Sequence, residues 1–128
     1  MLVSGMVAGV PGQGGATWAV LQYVLGLRRL GHDVTLVEPV ATITDASASY
    51  CGKVMQAAGL DGRWAILEAG SKNTIGCAYA ELARRASGAD VLLNVSGMLT
   101  DEDVLAPVPV RVYLDLDPGF IQLWQAVE

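Results

Sequence analysis

A glycine-rich segment near the amino terminus has the clearest potential for chemistry in this sequence. Residues 9–15 follow a short apolar run and precede a helical pattern. Backbone N–H groups at such a strand-to-helix turn can face an anion such as phosphate, and the helix dipole favours negative charge there. The residues of this segment that we predict to contact a ligand are Gly12, Gln13, Gly14 and Gly15.

Two well-known phosphate-binding motifs match this glycine loop only in part. Gly9 and Gly14 have the spacing of a P-loop, but the lysine that the motif requires after the second glycine is missing. In the dinucleotide fingerprint GxGxxG, Gly12 and Gly14 match, but Thr17 stands in place of the last glycine or alanine. The sequence therefore argues against P-loop ATP hydrolysis, and it weakens a dinucleotide-binding role without excluding it.

Polar residues also follow the predicted second and fourth strands. Glu38 ends the second strand, at the place where a ribose-binding acid would stand in a dinucleotide-binding domain. Asn94, Ser96 and Gly97 mark the exit of the fourth strand. Their side chains or backbone could hydrogen-bond a polar ligand, or they could form local turn bonds instead. We predict that Asn94, Ser96 and Gly97 contact a ligand. For Glu38 we predict a cofactor contact only if the protein binds a dinucleotide.

A D-x-D sequence, Asp115-Leu116-Asp117, follows the predicted fifth strand. In some sugar transferases such a pair holds a divalent metal beside a nucleotide diphosphate. Asp117 has a sufficient structural role as the N-cap of a helix whose first residue is Pro118. We therefore predict no metal site, and we take Asp115 as the candidate catalytic residue.

Composition excludes several classes of protein. The chain has 128 residues, of which 52% are hydrophobic and 16% are charged, which predicts one domain with a buried core. A net charge of -5 without a basic cluster argues against nucleic-acid binding. One histidine (His32) and two distant cysteines (Cys51 and Cys77) would hardly assemble a zinc site, so free thiols are expected. No basic residue precedes the first apolar run, which predicts a cytoplasmic protein without a signal peptide or transmembrane segment.

Strand and helix patterns alternate along the chain. The predicted strands are residues 2–8, 33–38, 64–67, 91–95 and 110–114. Helices are predicted at residues 16–30 and 49–58, from a cap at Asn73 or Thr74 to Gly88, over one or two turns at 100–105, and at 120–127. This alternation predicts a Rossmann-like, doubly wound parallel sheet with the order 3-2-1-4-5. In that topology ligands bind between the first and fourth strands, at their carboxyl ends.

The final predicted helix is apolar and reaches the end of the sequence without a C-cap signal. We expect residues 1–128 to form the amino-terminal half of a two-domain protein. The alternative is a docked terminal helix, and exposed apolar helices could also form a homodimer.

Two segments give the chain a family resemblance. Residues 14–18, with residues 25–34 (LGLRRLGHDV), resemble the start of GT-B fold glycosyltransferases, in which a glycine-rich loop opens the first helix and a Gly-His pair precedes the second strand. Residues 89–97 resemble the fourth strand of that family and its following loop. The resemblance covers the chain loosely, as the amino-terminal half of such an enzyme.

The resemblance implies an acceptor-side domain that works with a carboxyl-terminal, donor-binding domain. The full protein would transfer a sugar from a nucleotide-sugar to an acceptor, with Gly14 and Gly15 lining the cleft and without a further cofactor. This chain alone would be inactive. The alternative function, from a different class, is a stand-alone nucleotide- or dinucleotide-binding module that uses residues 9–15 and Glu38.

Overall fold

Six strands form a single mixed sheet in the computed structural model, which describes residues 1–127 apart from the side chains of residues 120 and 121. The strands are β1 (Leu2–Ser4), β2 (Thr35–Val40), β3 (Trp64–Glu68), β4 (Thr74–Gly76), β5 (Val91–Val95) and β6 (Val110–Leu114). The helices are α1 (Gly14–Arg29), α2 (Asp45–Ala57), α3 (Tyr79–Ser87), α4 (Glu102–Leu105) and α5 (Pro118–Val127). The strand order is β4-β3-β2-β1-β5-β6, and β4 alone runs antiparallel to its neighbour.

The predicted α/β, Rossmann-like class is confirmed, whereas the predicted strand count and order are wrong. The prediction of five strands in the order 3-2-1-4-5 omitted β4, which adds a sixth strand at one edge and renumbers those that follow. The five parallel strands stand in the order β3-β2-β1-β5-β6. Because β1 and β5 are neighbours, their carboxyl ends still form the crevice at which open α/β sheets bind ligands.

Apolar side chains alternate between the two faces of the sheet and are covered by helices on both. On one face, α1 and α2 cover Val3, Leu36 and Ile66, all of which are fully buried. On the other face, α3 and α4 cover Leu2 and Leu92. A strand that is buried on both faces has a nearly continuous apolar sequence, which is the pattern seen at β1 and β5.

The prediction that Asn73 or Thr74 caps a helix is wrong. Thr74 begins β4, where it pairs with Leu67 of β3, and the helix starts only at Tyr79. Gly76 explains the difference because its φ is +95°, and a Cβ atom there would lie 2.8 Å from the Trp64 ring. The backbone of β4 passes so close to β3 that only glycine fits, a tertiary constraint that helix-capping patterns do not contain.

Replacing Gly76 by alanine is expected to destabilise the protein by about 1–2 kcal/mol, because the methyl group meets Trp64 and φ is unfavourable. The loss is limited since β4 is a three-residue edge strand that can detach. Gly26→Ala is the matched control: its Cβ meets nothing within 4 Å, so about 0.5–1 kcal/mol of stabilisation is expected in the helix. Urea unfolding measures both changes, and equal stabilities of the two variants would contradict the expectation.

Several element ends also differ from their predicted positions. The first strand ends at Ser4 instead of residue 8, because the N–H groups of residues 7–9 donate to the side chain of Glu38. The strand β2 continues through Pro39. The last residue pair between β1 and β2 is Ser4 with Val37, so Pro39 lies beyond the paired region. Because proline has no N–H, its presence there removes no hydrogen bond to β1. The helix α2 begins at Asp45, four residues before the predicted start, because Thr44 and Ser47 form a capping box.

An ion-pair cluster attaches α3 to the sheet. Arg84 Nε and Arg85 Nε donate to the carboxylate of Glu81 at 2.8 and 2.7 Å, and Arg85 Nη1 donates to Thr35 Oγ1 of β2 at 2.9 Å. Hydrogen bonds from both guanidinium groups lower the pKa of Glu81 to about 2 from its ordinary value of 4.5. The cluster therefore stabilises the fold while Glu81 is ionised.

The contribution of Glu81 to the free energy of unfolding should decrease as the pH falls. Because the folded-state pKa is depressed, this contribution is complete above pH 4.5 and is lost as the pH falls toward about 2. Unfolding free energies measured between pH 6 and pH 2 should therefore fall less steeply in Glu81→Gln than in the wild type. Glu102→Gln, which removes an exposed carboxylate of α4, is the control. Identical pH slopes for Glu81→Gln and the wild type would contradict the assignment.

Candidate functional site

The amino terminus of α1 is open at the carboxyl edge of the sheet. Gly14 and Gly15 begin its first turn, both are exposed, and a Cβ atom at either position would meet nothing within 4 Å. Gln13 stands at the N-cap without a side-chain capping bond, and the first turn contains no acidic residue. The first N–H groups of a 16-residue helix thus point outward without a capping side chain, which is the arrangement that binds anions.

The remainder of the glycine loop shapes the approach to this helix. Gly12 has a φ of +83°, which glycine adopts without strain, and the Gln13 N–H donates to the Val10 carbonyl at 3.1 Å. The four predicted loop contacts, Gly12 to Gly15, are all solvent-exposed. The structure therefore places them together at the crevice, and their contact with a ligand remains a prediction.

Glu38 holds the first half of the loop. Its Oε2 accepts the N–H groups of Val7 at 2.8 Å and Ala8 at 2.5 Å, and its Oε1 accepts the N–H of Gly9 at 2.7 Å. The side chain is buried, with 1% of its surface exposed. Burial raises the pKa of Glu38 above its ordinary value, while the three N–H donors act in the opposite direction. Glu38 is thus the internal anion that fixes the turn between β1 and α1.

This geometry bears on the ribose contact predicted for Glu38. The carboxylate borders a cavity of about 440 Å³ together with Gly9, Thr42, Ser47 and Met98. Both of its oxygens, however, already accept backbone donors of the loop. Three of the about four acceptor sites of the carboxylate are therefore used, and a ribose hydroxyl would have only the remaining site on Oε1. The cofactor role of Glu38 stays a prediction.

The loop after β5 is fixed by its own residues. Asn94 exchanges two hydrogen bonds with Leu99, as its Nδ2 donates to the Leu99 carbonyl at 3.1 Å and its Oδ1 accepts the Leu99 N–H at 3.2 Å. Ser96 has a φ of +56°, and its N–H donates to Leu114 at 2.7 Å. Gly97 has a φ of +66°, and a Cβ atom there would lie 2.9 Å from the Tyr113 ring. The amide of Asn94 is therefore used locally, whereas the exposed hydroxyl of Ser96 is available to a ligand.

Asp115 lies directly after β6, at the same edge of the sheet. Its Oδ1 accepts the N–H of Asp117 at 3.0 Å in a local turn. Within residues 1–127, no hydrogen bond joins Asp115 to the glycine loop. The next residue, Leu116, nevertheless lines a cavity together with Ala16 of α1, which places Asp115 beside the crevice. A catalytic role for Asp115 stays a prediction.

A small cavity between α1 and β5 was not anticipated from the sequence. We call this cavity of about 160 Å³ the apolar slot. It is lined by Met6, Ala16, Ala19, Val20, Val95, Ser96, Met98 and Leu116. The available signal was Met6 and Met98, two apolar residues that lie two and three positions after the ends of β1 and β5.

A polar cluster on the α3 side was also missed. Tyr79 donates its hydroxyl hydrogen toward Asp101 and Asp103, whose oxygens lie 3.1 and 3.2 Å away, and Lys72 pairs with Asp103 at 3.2 Å. Burial and these carboxylates raise the pKa of Tyr79. Asp101 also accepts the Val104 N–H and so caps α4. Lys72 pairs with Asp103, and Asp101 accepts the Tyr79 hydroxyl and the Val104 N–H, which indicates a structural role.

The opposite edge of the sheet has a polar cavity of about 460 Å³ lined by His32, Arg63 and Arg85 among others. Its guanidinium groups are engaged, since Arg63 pairs with Asp33 and Arg85 with Glu81. His32 lies there, at the amino ends of the strands. Ligands of open α/β sheets bind at the carboxyl ends, so we place the candidate site at the crevice despite the larger size of this cavity.

Metal ligands and thiols provide no second site. Within the described part of the chain, no three His, Cys, Asp or Glu side chains are grouped so that they could hold a metal ion. Both cysteines are free, and burial raises the pKa of Cys51 to about 12. None of the helices in residues 1–127 is long and apolar enough to cross a membrane.

Comparison with known proteins identifies no relative: no protein-family model, no curated protein and no solved structure matches this chain. The functional interpretation therefore depends on the geometry of the crevice and on the resemblance described above.

Proposed function

We propose that this chain is the acceptor-side domain of a GT-B-type glycosyltransferase. The full protein would transfer a sugar from a nucleotide-sugar donor to an acceptor, and it would require a second, donor-binding domain. The observation that carries this proposal is the uncapped first turn of α1, which begins with Gly14 and Gly15 and opens onto the crevice. The fold is compatible with the proposal, but it hosts many other functions and does not select this one.

In this proposal the amino terminus of α1 faces the diphosphate of the donor. Cleavage of the bond between sugar and diphosphate leaves negative charge on the diphosphate, and backbone N–H groups positioned in advance stabilise such charge. Gly14 and Gly15 allow close approach because no side chain stands between their backbone and the ligand. Asp115 is the residue that we assign to the proton of the acceptor hydroxyl, since the crevice contains no histidine.

Exposed apolar side chains lie on the edge strand β6 and on helix α5. The edge strand β6 and helix α5 expose Val112, Tyr113, Leu123 and Trp124, between 41% and 61% of each side chain. Apolar surface of this kind is typical of an interface. We propose that the donor-binding domain packs here, and a homodimer is the alternative that light scattering of the chain would reveal as a doubled mass.

The second candidate function is a stand-alone nucleotide- or dinucleotide-binding module that uses the same loop. The exposed glycine turn favours it equally, but Glu38 already accepts three backbone N–H groups and has only one acceptor site left for a ribose hydroxyl. Replacing Glu38 would therefore disturb the fold in addition to any loss of ribose binding.

Two assays separate the candidates. The protein together with its donor-binding domain is incubated with radiolabelled UDP-, GDP-, ADP- and dTDP-sugars and a panel of hydroxyl acceptors, and transfer from at least one donor is expected. The 128-residue chain alone is also tested by thermal shift with NAD and free nucleotides. A ligand at 100 times its dissociation constant stabilises a protein by about 2.7 kcal/mol. A clear shift with NAD, combined with no transfer from any donor, would overturn the glycosyltransferase proposal.

A further inference from the structure

We infer that the apolar slot binds an aromatic ring or short alkyl chain of the acceptor, with the Ser96 hydroxyl at its mouth bonding the acceptor's polar end. The slot lies between Ala16 and Ala19 of α1 and Met98 after β5. The identification of this ligand as an acceptor rests on the proposed function, whereas the capacity of the slot to hold an apolar group does not.

The size and lining of the slot define the chemical class. A dry engineered cavity of about 150 Å³ lined by apolar side chains binds benzene, and the slot has a volume of about 160 Å³. All of its lining residues are apolar except Ser96. Met6 and Met98 border it, and their flexible thioethers adapt to the faces and edges of rings. A sugar ring with hydroxyl groups on every side would leave those hydroxyls without partners there.

The mouth of the slot is held in an uncommon conformation. Ser96 is the one non-glycine residue with positive φ among residues 1–127, at +56°. Such a conformation persists where the surrounding structure imposes it, and it is concentrated at ligand-binding sites. Two contacts impose it here: the Ser96 N–H donates to Leu114 at 2.7 Å, and the Asn94 side chain is bonded twice to Leu99. The Ser96 hydroxyl makes no hydrogen bond to the described residues, so it is free for a ligand.

The slot also has the right position for an acceptor. Ala16 lines it and lies one residue beyond Gly15, at the open end of α1. Leu116 lines it from the other side and is adjacent to Asp115. An acceptor with its apolar part in the slot would therefore present its polar end between the first turn of α1 and Asp115.

Methionine methyl NMR of the 128-residue chain tests this inference, with benzyl alcohol as the probe. The sequence has four methionines, of which Met6 and Met98 line the slot. Met55 is fully buried against the α2 core and Met1 lies at the opposite edge, so both serve as internal controls. We expect saturable shifts of the Met6 and Met98 methyl signals and none at Met55.

Two variants complete the experiment. Ala19→Leu fills the slot and should weaken benzyl alcohol binding at least about tenfold, whereas Ala83→Leu, at a half-buried alanine of α3, should leave it unchanged. Ser96→Gly keeps the backbone conformation and should weaken benzyl alcohol more than toluene, which cannot bond the hydroxyl.

Shifts spread equally over all four methionines, or full binding by Ala19→Leu, would overturn the slot inference. Neither result affects the sugar-transfer assay. Conversely, slot binding without transfer from any donor would leave the slot established and refute the proposed function.

Discussion

Replacing Glu38 by glutamine should destabilise the protein by about 3 kcal/mol. The carboxylate accepts three backbone N–H groups from the turn between β1 and α1, and both of its oxygens are used. A glutamine retains one oxygen and turns an NH₂ group toward the remaining donors, so at least one of the three N–H groups loses its acceptor. Buried hydrogen bonds to charged groups contribute about 1.5–3 kcal/mol each, and unpaired buried donors add a desolvation cost. Chemical denaturation measures the change.

The control for this variant is Glu102→Gln, which removes an exposed glutamate and should change stability by less than about 0.5 kcal/mol. A Glu38→Gln protein as stable as the wild type at every pH would show that the carboxylate does not hold the loop.

Replacing Gly15 by aspartate should weaken anion binding without lowering the stability of the fold. A Cβ atom at this position meets nothing within 4 Å, and an acid in the first turn interacts favourably with the helix dipole by about 0.3–1 kcal/mol. Stability should therefore be unchanged or slightly higher. The carboxylate nevertheless occupies the open N–H groups and repels an anionic ligand, so the affinity for inorganic pyrophosphate should fall about 10- to 100-fold.

Gly26→Asp is the matched control for that variant. Gly26 lies in the last turns of the same helix, and a Cβ atom there also meets nothing within 4 Å. Aspartate near the carboxyl end of a helix opposes the dipole, so this variant should be less stable than Gly26→Ala and should keep its pyrophosphate affinity. Equal affinities in Gly15→Asp and Gly26→Asp would contradict an anion site at the start of α1.

The crevice could be located from the sequence because its determinants are local. The apolar run of β5, the glycine loop and the strand-helix alternation follow period and turn rules that depend on neighbouring residues. These features were sufficient to bring Gly14, Gly15 and Ser96 to one edge of a Rossmann-like sheet. The positions of these residues do not depend on β4, which joins the sheet at the far edge.

The features that escaped prediction are set by contacts between distant residues. The close approach of Gly76 to Trp64 makes β4 a strand, although Asn73-Thr74 has the pattern of a helix cap. Glu38 holds the backbone of residues 7–9, about thirty positions earlier in the chain, while its position in the sequence indicates a ribose contact. The apolar slot depends on the distance between α1 and the end of β5, which no local pattern encodes.

Backbone amide NMR of the wild-type chain during a pyrophosphate titration tests the anion site at α1 most directly. We expect shifts of the Gly14, Gly15 and Ala16 amides, whose N–H groups lie in the uncapped first turn. The amides of residues 7–9 should stay unchanged because Glu38 already accepts their hydrogens. If the amides in the first turn of α1 do not shift, or if only amides at the opposite edge around Arg63 shift, the anion site at α1 is contradicted.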